Sequence, residues 1–218
     1  MQATSQIVSL NQWTLRMRLP DAAGPHPVIL LLHGLTGDEN SMWFFAPRLP
    51  SHYLLIAPRG IYPVQPSGYS WRLFPAEAAR TLPVLEDFRS AVAALYALLT
   101  PQNFPDADFS HLHLMGFSQG AALSYAFALS YPGRIQSVAA LAGFAPAGAE
   151  ALIKTQPLLD KPVFIAHGLR DETISIQLAR QARQLMQQAG ADVCYCEDDV
   201  GHKVGVRCFP ALDAFYPA

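Results

Sequence analysis

Charge is scarce in this sequence. Of its 218 residues only 15% are Asp, Glu, Lys or Arg, and the formal net charge is -2, against roughly 25% charged residues in ordinary soluble domains. With no basic excess there is no field to draw in nucleic acid or an anionic membrane surface. Cysteine is rare as well. Cys194, Cys196 and Cys208 make an odd count without a four-cysteine metal spacing, so neither a disulfide framework nor a metal site is expected, and all three read as ordinary buried or edge thiols. No run approaches the roughly 18 apolar residues of a membrane span, and Met1 to Pro20 lacks the charged-then-apolar pattern of a secretory signal. These absences point to a cytoplasmic chain with no stable membrane insertion and no nucleic-acid partner. A small, neutral or weakly polar substrate is left as the natural ligand class.

What the chain has in quantity is apolar side chain, 51% of the sequence, which suits a sheet buried on both faces. Residues 7–19 alternate and read as one or two antiparallel strands, and Asp21–Pro27 as a turn. Val28–Leu32 is a continuous apolar run of the kind found in buried parallel strands, followed by the loop His33–Asp38 and a short helix near Ser41–Leu49. Tyr53–Ala57 reads as the next strand. Pro58–Pro83 is aperiodic but rich in aromatics, which predicts an ordered loop over a site, with Tyr69, Trp71 and Phe74 as its apolar surface. Pro83 opens a helix to Thr100. Strands then follow at Ser137–Leu141, Val163–Ala166 and Asp192–Glu197, with helices at Ile174–Ala189 and Val204–Phe215, the last bent at Pro210. The alternation predicts an α/β fold, a mostly parallel sheet with helices on both faces, in one domain spanning residues 1–218. Gly143–Leu159 is too short for a large cap domain.

The stretch His111–Tyr131 organises this pattern. A short apolar run, the turn Gly116-Phe117-Ser118-Gln119-Gly120 and an Ala-rich segment read as strand, sharp turn and helix, which fits the G-x-S-x-G nucleophile elbow. A serine hydroxyl needs a base within hydrogen-bond reach, itself oriented by an acid. In this chain order the base is His202, just past the last strand. The acid is Asp171, which follows the penultimate strand through a glycine turn; Glu172, Asp198 and Asp199 compete with it. His33 and His167 each precede a glycine at a strand end and read as loop-shaping. The amides of Leu35 and Gln119 are the candidate oxyanion donors. His33-Gly34-Leu35-Thr36-Gly37-Asp38 lacks the G-K-[ST] of a phosphate loop.

His33-Gly34-Leu35, Gly116–Gly120, His167-Gly168 with Asp171, and Gly201-His202 together resemble the successive motifs of the phospholipase/carboxylesterase family of α/β-hydrolases, which includes small bacterial carboxylesterases and acyl-protein thioesterases. The resemblance runs from Val28 to the C-terminus. It implies a triad of Ser118, Asp171 and His202, oxyanion donors at Leu35 and Gln119, and Trp71 lining the site, with no cofactor. One departure is Thr36, where many members have glycine; a β-branched residue enters positive φ at a cost, so the oxyanion loop is expected to differ there. The implied activity is hydrolysis of carboxylic esters with short to medium acyl chains. Acyl-protein thioesterase or lysophospholipase activity is the alternative, and a catalytically inactive binding module on the same fold is the reading from another class. The oligomeric state is left open, a homodimer included.

Overall fold

The computed structural model describes residues 5–73 and 82–216. Ten strands lie among them: β1 Ser5–Leu10, β2 Trp13–Arg18, β3 His26–Leu32, β4 Leu54–Pro58, β5 Tyr62–Pro63, β6 Tyr69–Ser70, β7 Ala107–Phe117, β8 Ile135–Leu141, β9 Pro162–Gly168 and β10 Asp192–Asp198. The α-helices are α1 Arg89–Leu98, α2 Gln119–Ser130, α3 Ile176–Gln188 and α4 Phe209–Phe215. Eight strands form one sheet in the order β1-β2-β4-β3-β7-β8-β9-β10. The first two pair antiparallel, and from β4 to β10 every neighbour is parallel.

Period-two alternation along β3 sends its side chains to opposite faces. Val28, Leu30 and Leu32 join a core covered by α1, α2 and α3. Ile29 and Leu31 join a second core covered by the 3₁₀ segment Ser41–Arg48 and by α4. The amphipathic character of the covering helices follows the same logic: α3 buries Ala179, Ala182, Leu185 and Met186 at helical spacing and leaves its polar face in water. By contrast α2 is buried along its length from Gln119 to Leu129. Small residues make that approach possible. A Cβ built on Gly116 would lie 2.2 Å from the Gly120 carbonyl, and one on Gly120 would lie 2.0 Å from the Leu32 carbonyl. Both glycines of the elbow are therefore fixed by strand-to-helix contact.

Three local expectations change. The helix expected from Pro83 is a 3₁₀ turn, Leu85–Phe88, running into the shorter α1. Pro210 does not bend a helix; it occupies the first turn of α4, where its missing N–H has no partner to lose. Cys196 and Cys208 are joined in a disulfide, while Cys194 is free and exposed. The end of β10 and the 3₁₀ turn Val206–Cys208 bring the two sulfurs together in space, across a sequence gap that carries no local signal. Among the described residues no helix is long and apolar enough to cross a membrane.

Candidate active site

Ser118 stands between the last residue of β7 and the first of α2, with φ 53° and ψ -114°. A non-glycine residue in this region costs on the order of 1–3 kcal/mol and persists only where its surroundings fix it. Here the Ser118 amide donates to the Leu141 carbonyl at 2.8 Å, and its own carbonyl receives the amides of Ala121 and Ala122 at 3.0 and 3.2 Å. The hydroxyl is thereby held above the carboxyl ends of the parallel strands. As the first residue of α2, Gln119 presents an amide with no intrahelical acceptor, at the positive end of the helix dipole.

His202 reaches Ser118 from the loop after β10. Its Nε2 lies 3.1 Å from Ser118 Oγ, and its Nδ1 lies 2.7 Å from Asp171 Oδ2. Asp171 is fully buried at the side chain, and its Oδ1 accepts the amides of Thr173 and Ile174, each at 2.9 Å. The rival acids are engaged elsewhere or turned away. Asp198 accepts the amides of Asp199 and Arg207, Asp199 pairs with Arg170 at 2.7 Å, and Glu172 is exposed. A hydroxyl, an imidazole and a carboxylate in line can pass a proton from oxygen to nitrogen while the acid fixes the imidazole tautomer, which is the requirement for acyl transfer.

The loop after β3 lies against the serine: a Cβ built on Gly34 would fall 3.3 Å from Ser118 Cβ. His33, read from sequence as loop-shaping, is buried and bridges two loops. Its Nδ1–H donates to the Gly34 carbonyl at 2.7 Å, and its Nε2 accepts the Gly60 amide at 2.8 Å. Burial lowers its pKa and keeps it neutral, as this pair of bonds requires. His167 is likewise buried with a lowered pKa; its Nε2–H donates to the Ile174 carbonyl at 2.8 Å and lies 3.3 Å from Asp171 Oδ2. Thr36 does enter the left-handed region, at φ 65°. It is held there by its N–H, which donates to the Tyr69 carbonyl at 3.0 Å, and by the bridge between Gly37 and Tyr69.

The aromatic loop contributes differently from expectation. Trp71 is fully buried and presents no surface to a ligand. Its indole N–H donates to the His33 carbonyl at 2.8 Å, and its backbone amide donates to the Gln119 side chain at 2.9 Å. A buried indole must find an acceptor, and the one it finds ties the loop after β3 to the start of α2. The Tyr69 ring lies under the Arg59 guanidinium. Phe74 lies outside the described residues. Apolar surface near Ser118 is offered instead by a cavity of about 550 Å³ that Gly34 and Phe117 line together with Leu35, Phe44, Phe45, Val204 and Phe209 among others. The aromatic run Trp43-Phe44-Phe45 close behind the His33 loop was its sequence signal.

A mostly parallel eight-stranded sheet, crossed on both faces by helices and carrying its serine elbow between β7 and α2, defines an α/β-hydrolase fold. More narrowly, the chain belongs to the phospholipase/carboxylesterase family, whose profile matches residues 20–215. It is 28% identical to acyl-protein thioesterase 1 of Kluyveromyces lactis over 74% of this chain and 76% of that protein. The enzyme of the same name from Debaryomyces hansenii is 27% identical over 83% of this chain and 85% of its own. Among solved structures, a carboxylesterase from Mesorhizobium loti superimposes with a TM-score of 0.79 at 21% identity, covering 97% of each chain. The Bacillus cereus carboxylesterase gives 0.79 at 21% identity over 94% of each.

Proposed function

We propose that the protein is a serine hydrolase that cleaves carboxylic esters of short to medium acyl chains through an acyl-enzyme. Ser118 Oγ attacks the carbonyl carbon as its proton passes to His202 Nε2, and the resulting oxyanion is received by the amides of Leu35 and Gln119. His202 then gives the proton to the leaving-group oxygen as the carbon–oxygen bond breaks. Water repeats the sequence on the acyl-enzyme and frees the acid. Asp171 keeps the proton on Nδ1 of His202, so that Nε2 faces the serine as an acceptor.

The observation that carries this reading is the unbroken contact from Ser118 Oγ through His202 to the buried Asp171 carboxylate. The preference for shorter acyl groups rests on the segment between β8 and β9, which holds only two 3₁₀ turns, Ala149–Ala151 and Ile153–Thr155, in place of a cap. A second reading, hydrolysis of long-chain acyl thioesters or lysophospholipids, draws support from the name shared by the two yeast relatives. An acyl series of aryl esters from acetate to palmitate separates the two. Efficiency that peaks at short to medium chains and is lost in Ser118→Ala supports the first reading, whereas a continuous rise to palmitate favours the second.

A cytoplasmic location remains part of the proposal. In that reducing compartment the Cys196–Cys208 disulfide of the structure would be opened to two thiols, since disulfides persist chiefly in oxidising surroundings. Cys208 is buried, so cells are quenched in acid and the protein is alkylated after denaturation; both cysteines should then be labelled, and protection of the pair would place it in an oxidising compartment instead.

A further inference from the structure

The cavity beside Ser118 has two walls that belong to different parts of the proposed machinery. One is the loop after β3, with Gly34 and Leu35; the other is Lys203 and Val204, which follow His202 directly. Aromatic rings supply most of the rest, beside Thr36, Gly37, Ser41 and Met42. Phe45 and Phe209 come from the sheet face covered by α4, Phe44 stands 70% exposed at the mouth, and the Phe117 ring lies 5.0 Å from that of His202. The volume, about 550 Å³, falls in the range of small-molecule sites and holds an aromatic ring or a medium alkyl chain. An exposed phenylalanine beside such a cavity is the kind of apolar surface that marks a binding site.

The stereochemistry of the reaction says which arm of an ester enters it. The tetrahedral carbon formed on Ser118 carries three further substituents. Its oxyanion points to the amides of Leu35 and Gln119, its leaving-group oxygen must lie within hydrogen-bond reach of His202 Nε2, and its acyl group takes the remaining direction. Gly34 and Leu35 wall the cavity next to the first of these directions, and Lys203 and Val204, which follow His202 in the chain, wall it next to the second.

We propose that this cavity is the leaving-group subsite, and that the preferred substrates are esters of bulky apolar alcohols, with Phe44, Phe45, Phe117 and Phe209 as the residues that select them. The proposal rests on the serine-hydrolase reading and names the substrate class for it. Uptake of an apolar arm gains with each methylene buried, and because the arm leaves with the first product, the gain acts on formation of the acyl-enzyme and not on its breakdown.

The test uses two ester series on the 218-residue protein and on Phe44→Ala, a substitution at a position that is 70% exposed. One series holds the acyl group at butyryl and lengthens the alcohol from ethyl to hexyl and benzyl, all alkanols of similar acidity. The other holds the alcohol at ethyl and lengthens the acyl group from acetyl to octanoyl. The expected result is a kcat/KM that rises along the alcohol series, with the hexyl-to-ethyl ratio reduced about tenfold in Phe44→Ala, as loss of one or two kcal/mol of apolar contact requires. The octanoyl-to-acetyl ratio should stay the same in both proteins. An alcohol ratio untouched by the substitution, or an acyl ratio that collapses instead, overturns the assignment. If wild-type protein hydrolysed no ester in either series, the serine-hydrolase reading itself would fail, a result distinct from an active enzyme with the wrong pattern.

Discussion

The amide of Leu169 donates to the carbonyl of Asp198 at 2.8 Å, and one residue on, Arg170 donates to Val200 at 2.9 Å. These bonds continue the parallel pairing of β9 and β10 past the strand ends, where the loop bearing Asp171 and the loop bearing His202 would otherwise separate. Gly168 makes the approach possible, since a Cβ there would lie 2.2 Å from the Gly201 carbonyl. Asp171 and His202 are thus set relative to each other by backbone and joined by their side chains.

The orienting role of the acid can be read from a pair of substitutions. Asp171→Asn should lower kcat by roughly 10⁴, because an amide stabilises the wrong imidazole tautomer. Asp199→Asn, which removes only an exposed pairing with Arg170, should leave kcat within about twofold, as exposed ion pairs contribute roughly 0–1 kcal/mol. Steady-state kinetics on one short ester decides the matter, and a reversed order of effects would move the acid to Asp199.

Thr36 at φ 65° stores strain that glycine does not feel. Thr36→Gly should raise stability by about 1 kcal/mol, from roughly 1–2 kcal/mol of relieved strain less the added chain entropy of glycine. Equilibrium urea unfolding measures it. A variant less stable than wild type would mean that the threonine's side-chain contacts outweigh its backbone cost.

Much of the site was legible because its signals are local. The G-x-S-x-G turn, the apolar run of β3 and the glycines after His33 and His167 each announce a backbone event at their own position. Trp71 was misread because aromatic content predicts an ordered loop but not which way an indole faces; its N–H turned inward to the His33 carbonyl. The Cys196–Cys208 pairing was invisible for a different reason, since it depends on where the turn after His202 returns the chain. Phe44 and Phe209 are far apart in sequence and meet only across the second core, so no spacing rule joins them.

Acid stability should depend on a histidine remote from the serine. His113 is pushed down to about 4 by burial, with His111 and His52 adding to the effect. Its Nδ1 meets Ser137 Oγ at 2.7 Å, and its ring abuts Tyr53 and Tyr216 edge-on. An unfolded chain binds this proton near roughly 6.5, so between the two values the unfolded state holds more protons and stability rises with pH. The contribution is complete above about 6.5 and is lost as pH falls through about 4. His33 and His167 act in the same direction, so the contrast must be made at one site. Between pH 7.5 and 5.0, wild type should lose about 2 kcal/mol more than His113→Asn, and equal losses in urea titrations would remove His113 as the cause.

In the proposed mechanism Ser118 is a nucleophile made reactive by His202 and Asp171. Reaction of the folded protein with a fluorophosphonate, followed by peptide mass spectrometry, tests it without any assumption about the substrate. The expected result is stoichiometric phosphonylation at Ser118, abolished in Ser118→Ala and strongly slowed in His202→Ala. Folded wild-type protein that takes up no label, or label at another residue with Ser118 untouched, would contradict it.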